Sequence, residues 1–308
     1  MNILVTGGAG FIGSHVVKAL LQRGHHVTVV DDLRHGLREN VPDQANFVRL
    51  DMMSPAFGEI LGRTNFQAIV HLAAQTRVDT AVAKPVYDTA ENVLGTVKML
   101  EFARTHGISR FIFASSAAVY GNPDVSSLPL TETEPLMPIS FYGYSKATAE
   151  GYLQLYAKEF HVSYVALRFA NVYGERKNID DEGGVINVFT RRAANGLALP
   201  VYGDGKQSRD YIYVGDIVNG ILAALTTDHV NQVYNLSTET EVTLTDIIAM
   251  LGKIMGQDLT PTFEPARQGD IYRSLLSHRK AKELLSWEPH MSLEKGLQRL
   301  YAYYRDEA

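Results

Sequence analysis

The chain has 308 residues, 45% of them hydrophobic, and a net charge of −5 from 29 basic and 34 acidic side chains. That length suits one large or two modest domains with a real core, and the charge balance, with no long basic run, argues against nucleic acid as a main partner. No stretch approaches about 18 uninterrupted apolar residues, which argues against a membrane-spanning helix, and the absence of cysteine excludes disulfides, thiolate nucleophiles and cysteine-held metals.

The chain opens on a short apolar run that predicts a buried strand at 3–6, with no basic leader segment before it. No signal peptide is evident, and a cytoplasmic location fits. Gly7, Gly10 and Gly13 follow at three-residue spacing, and a helix is expected at 11–23, closed by Gly24. Strand, glycine turn and helix N-terminus form a dinucleotide-phosphate cradle. Gly7 permits the tight turn, Gly10 lets the backbone approach a pyrophosphate, and Gly13 lets the helix pack on the strand. The next strand, at 26–30, ends in Asp31, where an acid should hold the adenosine ribose hydroxyls about 20 residues after the glycines.

Further strands are expected at 46–49, 68–72, 110–115 and 163–169, and helices at 86–105 (capped by Gly107), 142–160 and 185–194. This alternation predicts an α/β fold, a Rossmann-like doubly wound parallel sheet with helices on both faces. After about residue 170 the rhythm loosens. Gly183-Gly184, 203–205 and 261–269 carry loop signals. The expected division is a cofactor-binding domain at 1–170 and a smaller α/β substrate domain at 171–308. A helix at 216–226 and a strand at 232–236 should return to the first sheet, so that 214–236 belongs with it.

Ser115 and Ser116 end the strand at 110–115. In open α/β sheets ligands bind at the carboxyl ends of strands, so a hydroxyl there either faces a substrate or caps the strand. Tyr142 and Lys146, four apart on a helix, share a face. A lysine cation near a phenol favours the phenolate, as would an oxidised nicotinamide, and a phenolate is a usable general base for an alcohol. Tyr144, two residues from Lys146, is off that face. Asn92 lies in a helical pattern, where its amide either bonds an irregular backbone or faces solvent. Arg209 and Arg267 are candidates for a diphosphate, since guanidinium forks match phosphate oxygens. The ten histidines show no metal-ligand spacing, and no metal is expected.

The ordered set of motifs resembles the extended short-chain dehydrogenase/reductase superfamily and, within it, the UDP-glucose/UDP-galactose 4-epimerases. It runs nearly end to end: residues 6–14, 31–33, 71–74, 92–96, 115–121, 142–146, 168–174, and 202–205 through 209–211. Related nucleotide-sugar dehydratases and decarboxylases share most of it but carry an acid just before Val-Tyr-Gly. This chain has Ala117 and Ala118 there, which removes the additional acid/base and favours epimerisation.

The resemblance implies an NAD-dependent, redox-neutral inversion at C4 of a UDP-hexose through a 4-keto sugar. Another nucleotide-sugar enzyme, or a non-catalytic NAD-binding regulator, is the alternative. Tyr142 would be base and then acid, Ser116 would bond the 4-oxygen, and Lys146 would hold the nicotinamide ribose and depress the tyrosine pKa. Asp51 and Met52 would contact adenine. Phe11, Ile12, Asp32, Leu33, Leu72, Ala73, Ala74, Asn92 and Ser115 would complete the NAD site. Asn171, the backbone near Val185 and Tyr202, and Arg209 and Arg267 would hold the nucleoside diphosphate, with Asp270 also in the substrate site.

Ser274, four residues after Asp270, falls where relatives gate the space beside the sugar C2 substituent. A small side chain there implies that UDP-N-acetylglucosamine is also accepted. Residues 169 and 170 depart from the relatives' pattern, and Thr76 stands where they have a lysine. Arg34, three after Asp31, suits a 2′-phosphate, but Asp31 would repel one, so NAD is expected. Relatives also pair the helices at 86–105 and 142–160 into a four-helix bundle, so a homodimer is expected, with no membrane or nucleic-acid partner.

Overall fold

The computed structural model describes residues 1–175, 184–266 and 271–307. In chain order the strands are β1 (Asn2–Thr6), β2 (His26–Asp31), β3 (Asn46–Arg49), β4 (Ala68–His71), β5 (Arg110–Ser116), β6 (Ser163–Phe169), β7 (Asn171–Tyr173), β8 (Leu199–Tyr202), β9 (Ser208–Tyr213), β10 (Gln232–Leu236), β11 (Glu241–Thr243), β12 (Pro261–Glu264) and β13 (Arg273–Ser274). Seven of them form one parallel sheet in the order β3-β2-β1-β4-β5-β6-β10. Chain progression reverses between β1 and β4, so the crevice where α/β sheets bind ligands opens beyond their carboxyl ends.

Both faces of this sheet are covered, which is why its strands are near-continuous apolar runs. Ile3, Leu4 and Val5 are fully buried, to alternate sides. Each such side chain contributes roughly 1.5–3 kcal/mol of transfer free energy. Helices Phe11–Gln22 and Val214–Thr226 pack on one face, and Gly95–Thr105 and Phe141–Phe160 on the other.

The segment expected to be one helix at 86–105 is interrupted. Pro85–Thr89 is α-helical, Ala90–Leu94 is a wider π turn, and Gly95–Thr105 resumes the α-helix. The remaining strands form two smaller sheets: in one, β7 and β13 each pair with β9 in parallel and β11 pairs with β9 antiparallel; in the other, β8 pairs with β12 in parallel. This corrects the loop expected at 261–269, because 261–264 is a strand in parallel register with Leu199 to Tyr202. Its partly polar, mostly exposed sequence gave no strand signal. Among the described residues no helix is long and apolar enough to cross a membrane.

Candidate active site

The glycine turn lies at the crevice. Gly7 has φ +71° and donates its N–H to Val30 O at 2.9 Å. A Cβ there would lie 2.6 Å from Ala73 N, just beyond the end of β4. At Gly13 a Cβ would meet Gly7 O at 2.1 Å. The helix Phe11–Gln22 begins after Gly10 with no side-chain cap, so its first N–H groups and its dipole are available to an anion. This shape fits a dinucleotide pyrophosphate.

Asp31 ends β2 and fixes the turn from the other side. Its two oxygens accept N–H groups from Ala9 (3.0 Å) and Leu33 (2.9 Å), and Leu33 itself takes a left-handed φ of +65°. Burial raises the Asp31 pKa, opposed by those two N–H bonds. Asp32 and Asp51 are both ion-paired to Arg34 at 2.6 Å. Met52, expected to contact adenine, has its side chain turned into the core. That side chain is 5% exposed, belongs to the apolar core and packs over Gly95, where a Cβ would approach its terminal methyl to 2.4 Å.

Ser116, Tyr142 and Lys146 converge at the carboxyl end of β5. Ser116 is the last residue of that strand, and its Oγ accepts the Ala118 N–H at 3.2 Å. Ser140 caps the helix Phe141–Phe160 by accepting the Gly143 N–H, which sets the start of the turn carrying Tyr142. Tyr142 is half-buried with Ser116 near enough to bias its ionisation, whereas Tyr144 is 62% exposed. Lys146 is buried, with Nζ donating to Ala114 O at 2.9 Å and lying 4.9 Å from the Phe113 ring centre.

Tyr142 is pushed above the ordinary phenol pKa, first by burial and also by the negative charge of Asp88, with Ser116 opposing them. Lys146 is itself lowered to about 8 by burial, with Asp88 and Glu150 holding it up. With the chain's own residues alone, burial sets the direction for both groups.

Two buried polar networks back the trio, and sequence reasoning missed their acids. Asp88 Oδ1 accepts from Gln75 Nε2 (2.7 Å) and Asn92 Nδ2 (3.1 Å). Asn92 also donates to Gln75 O and Ser145 Oγ and accepts the Gln75 N–H. This settles the two readings of Asn92: the π turn carries it inward, and it binds irregular backbone. In the second network Ser115 Oγ donates to Glu150 Oε1 at 2.5 Å, and Arg168 grips both Glu150 oxygens at 3.0 and 2.6 Å. The Ser115 hydroxyl is thus committed to the core.

Glu150 lies four residues after Lys146, so the helical period that links Tyr142 to Lys146 could have found it. Asp88, four before Asn92, carried a similar local signal. His71 bridges Thr6 Oγ1 (2.7 Å) and Thr96 Oγ1 (3.2 Å), and burial lowers its pKa to about 3, so it is a neutral structural link.

Among the expected substrate residues, Ser274 pairs with Arg209 across β13 and β9. Arg209 donates to Ser208 O at 2.8 Å and Tyr272 O at 3.2 Å. Asn171 is exposed at the start of β7, opposite Tyr211; Val185 opens the helix Val185–Ala194; Tyr202 ends β8. Arg267 and Asp270 lie outside the described residues.

Residues 3–237 match the NAD dependent epimerase/dehydratase family. A UDP-glucose 4-epimerase of Mycolicibacterium smegmatis is 34% identical over 314 residues, covering 100% of both chains. The crystal structure of a UDP-glucose 4-epimerase from Thermotoga maritima with UDP-glucose superposes with a TM-score of 0.96 at 41% identity, over 100% of this chain and 99% of that one. A Thermus thermophilus UDP-glucose 4-epimerase complexed with NAD gives a TM-score of 0.93 at 35% identity, covering 100% of both.

Proposed function

This chain belongs to the NAD dependent epimerase/dehydratase family, and we propose that within it the enzyme inverts C4 of UDP-hexoses, interconverting UDP-glucose and UDP-galactose. The observation that carries this reading is the convergence of Ser116, Tyr142 and Lys146 beside Ala117 and Ala118. The site holds one proton-transfer pair and, at those two positions, no further acid to drive elimination.

Gly7, Gly10, Gly13 and Asp31 would hold NAD, which when bound accepts and returns the C4 hydride without net redox change. Tyr142 removes the 4-hydroxyl proton and later restores it. Ser116 holds the 4-oxygen by hydrogen bonding to it and to Tyr142. Lys146, kept cationic near neutrality by Asp88 and Glu150, binds the nicotinamide ribose. Arg209, joined by Asn171, the backbone near Val185 and Tyr202, and Arg267, is proposed to retain the nucleoside diphosphate while the keto sugar turns over, with Asp270 also in the substrate site. We assign cofactor binding to 1–170 with 214–236, and substrate binding to the rest of 171–308.

Ser274 is proposed to leave room beside the sugar C2 for an acetamido group, so that UDP-N-acetylglucosamine is also a substrate. The cytoplasm is the location we propose, a compartment that suits a cysteine-free chain. A homodimer belongs to the same reading. Val86 is 83% exposed, and Leu94, Leu155 and Phe160 also face solvent on the two helical segments expected to pair. Light scattering at micromolar concentration should give twice the chain mass, and a monomer refutes the dimer. The functional test is incubation of the purified protein with a panel of nucleotide sugars and no added cofactor. Conversion of UDP-glucose to UDP-galactose is expected; release of carbon dioxide or of a stable keto sugar as product refutes it.

A further inference from the structure

Arg34 follows Asp31 by three residues, where a guanidinium could receive a ribose 2′-phosphate. The geometry engages it elsewhere. Its Nε pairs with Asp32 at 2.6 Å, one terminal nitrogen with Asp51 at 2.6 Å, and the other with Glu91 at 2.8 Å and the Tyr87 hydroxyl at 3.0 Å. Every guanidinium nitrogen thus has a partner, and the group also lies over the Tyr87 ring, 5.7 Å from its centre. The carboxylates come from three places: the loop after β2, the loop after β3, and the π turn before the helix Gly95–Thr105.

We propose that Arg34 is the cation of a carboxylate clamp, joining Asp32, Asp51 and Glu91, that selects a free ribose 2′-hydroxyl and rejects a 2′-phosphate. The inference rests on the NAD-binding reading above and gives it a residue-level cause. Three anions against one cation leave the clamp negative, and Asp31 adds a fourth carboxylate beside it. A 2′-phosphate brings roughly −1.5 to −2 charge at neutral pH. To meet it, Arg34 would have to release at least one carboxylate, uncovering a negative charge beside the incoming phosphate. A 2′-hydroxyl demands nothing of the kind, since carboxylate oxygens can accept its hydrogen bond.

The same residues imply how the preference is relaxed. Removing the anions, rather than adding a cation, should convert Arg34 into a phosphate ligand. The test is fluorescence titration of the full-length, cofactor-stripped protein with NADH and with NADPH, in wild type, Glu91→Gln, Asp51→Asn/Glu91→Gln, and that double variant with Arg34→Ala. Circular dichroism and the thermal midpoint verify that each is folded.

The wild type should favour NADH. Glu91→Gln should narrow the NADH-to-NADPH affinity ratio, and the double variant should narrow it by about tenfold or more. Adding Arg34→Ala should reverse that gain. An unchanged ratio in the folded double variant overturns the clamp. A gain that survives loss of Arg34 also overturns it, because bulk charge would then be the cause. Wild-type protein that binds neither nucleotide refutes the cofactor reading itself and the clamp with it, and is distinguishable because no ratio exists.

Discussion

Replacing Lys146 with methionine should make the cofactor-free protein more stable at pH 7 while abolishing most activity. Lys146 is 4% exposed, and burial brings its ammonium to about 8 despite Asp88 and Glu150. That fall from the ordinary lysine value corresponds to about 3 kcal/mol needed to keep the charge buried at neutral pH. Methionine keeps most of the apolar stem without the charge. It forfeits the 2.9 Å bond to Ala114 O, which takes back about 1 kcal/mol. The net expectation is a gain of about 2 kcal/mol at pH 7 by urea unfolding.

The pH dependence carries the sign. Between the folded value of about 8 and the unfolded value the unfolded chain binds more protons at Lys146, so wild-type stability from this group rises with pH across that window. The variant lacks that rise, so the two curves should converge by about pH 10. Turnover should fall by about 10²-fold or more, because the site loses the cation proposed to bind the nicotinamide ribose. A variant that is less stable at pH 7, by an amount independent of pH, refutes the argument that the lysine's charge is held against burial.

Tyr142→Phe should lower turnover by about 10²-fold or more with NAD still bound, measured by product formation and by the nucleotide released on denaturation. Retained activity would pass the base role to Ser116. Gly13→Ala should abolish detectable NAD binding by calorimetry, because its Cβ would lie 2.1 Å from Gly7 O and 2.8 Å from Gly8 Cα, both backbone atoms of the turn. Ser274→Tyr should suppress conversion of UDP-N-acetylglucosamine much more than that of UDP-glucose, compared by kcat/KM. Equal loss on both would place the gate elsewhere.

What the sequence made legible is what local geometry determines. The three glycines act within two turns of backbone, and the Tyr142–Lys146 pair needs only the helical period. The strands of the main sheet were legible because burial on both faces makes them continuous apolar runs. What escaped depends on pairings between distant segments. β12 became a strand only through register with β8, and its Phe263 is 58% exposed, so no periodicity announced it. The proximity of Arg209 and Ser274 follows from β9 and β13 lying side by side. Asn92 could not be read either way until the π turn fixed its direction. Arg34 carried a local signal that pointed the wrong way, since the carboxylates that occupy it come from loops the sequence cannot juxtapose.

The same division explains the electrostatics of the site. Helical spacing brings Tyr142, Lys146 and Glu150 to one face, and proximity alone suggested that the lysine would acidify the tyrosine. The partners that set their charges lie on other elements. Arg168, from β6, neutralises Glu150 through a two-bond grip, with side chains 4% and 2% exposed. Asp88, from the helical turn before the π turn, opposes ionisation of Tyr142 and favours the cation at Lys146. Burial acts against charge on both groups, so the chain's own residues favour a protonated phenol. In the proposed mechanism Tyr142 becomes a base when a further positive charge joins the site, as an oxidised nicotinamide would. That mechanism couples proton removal to the presence of the group that accepts the hydride.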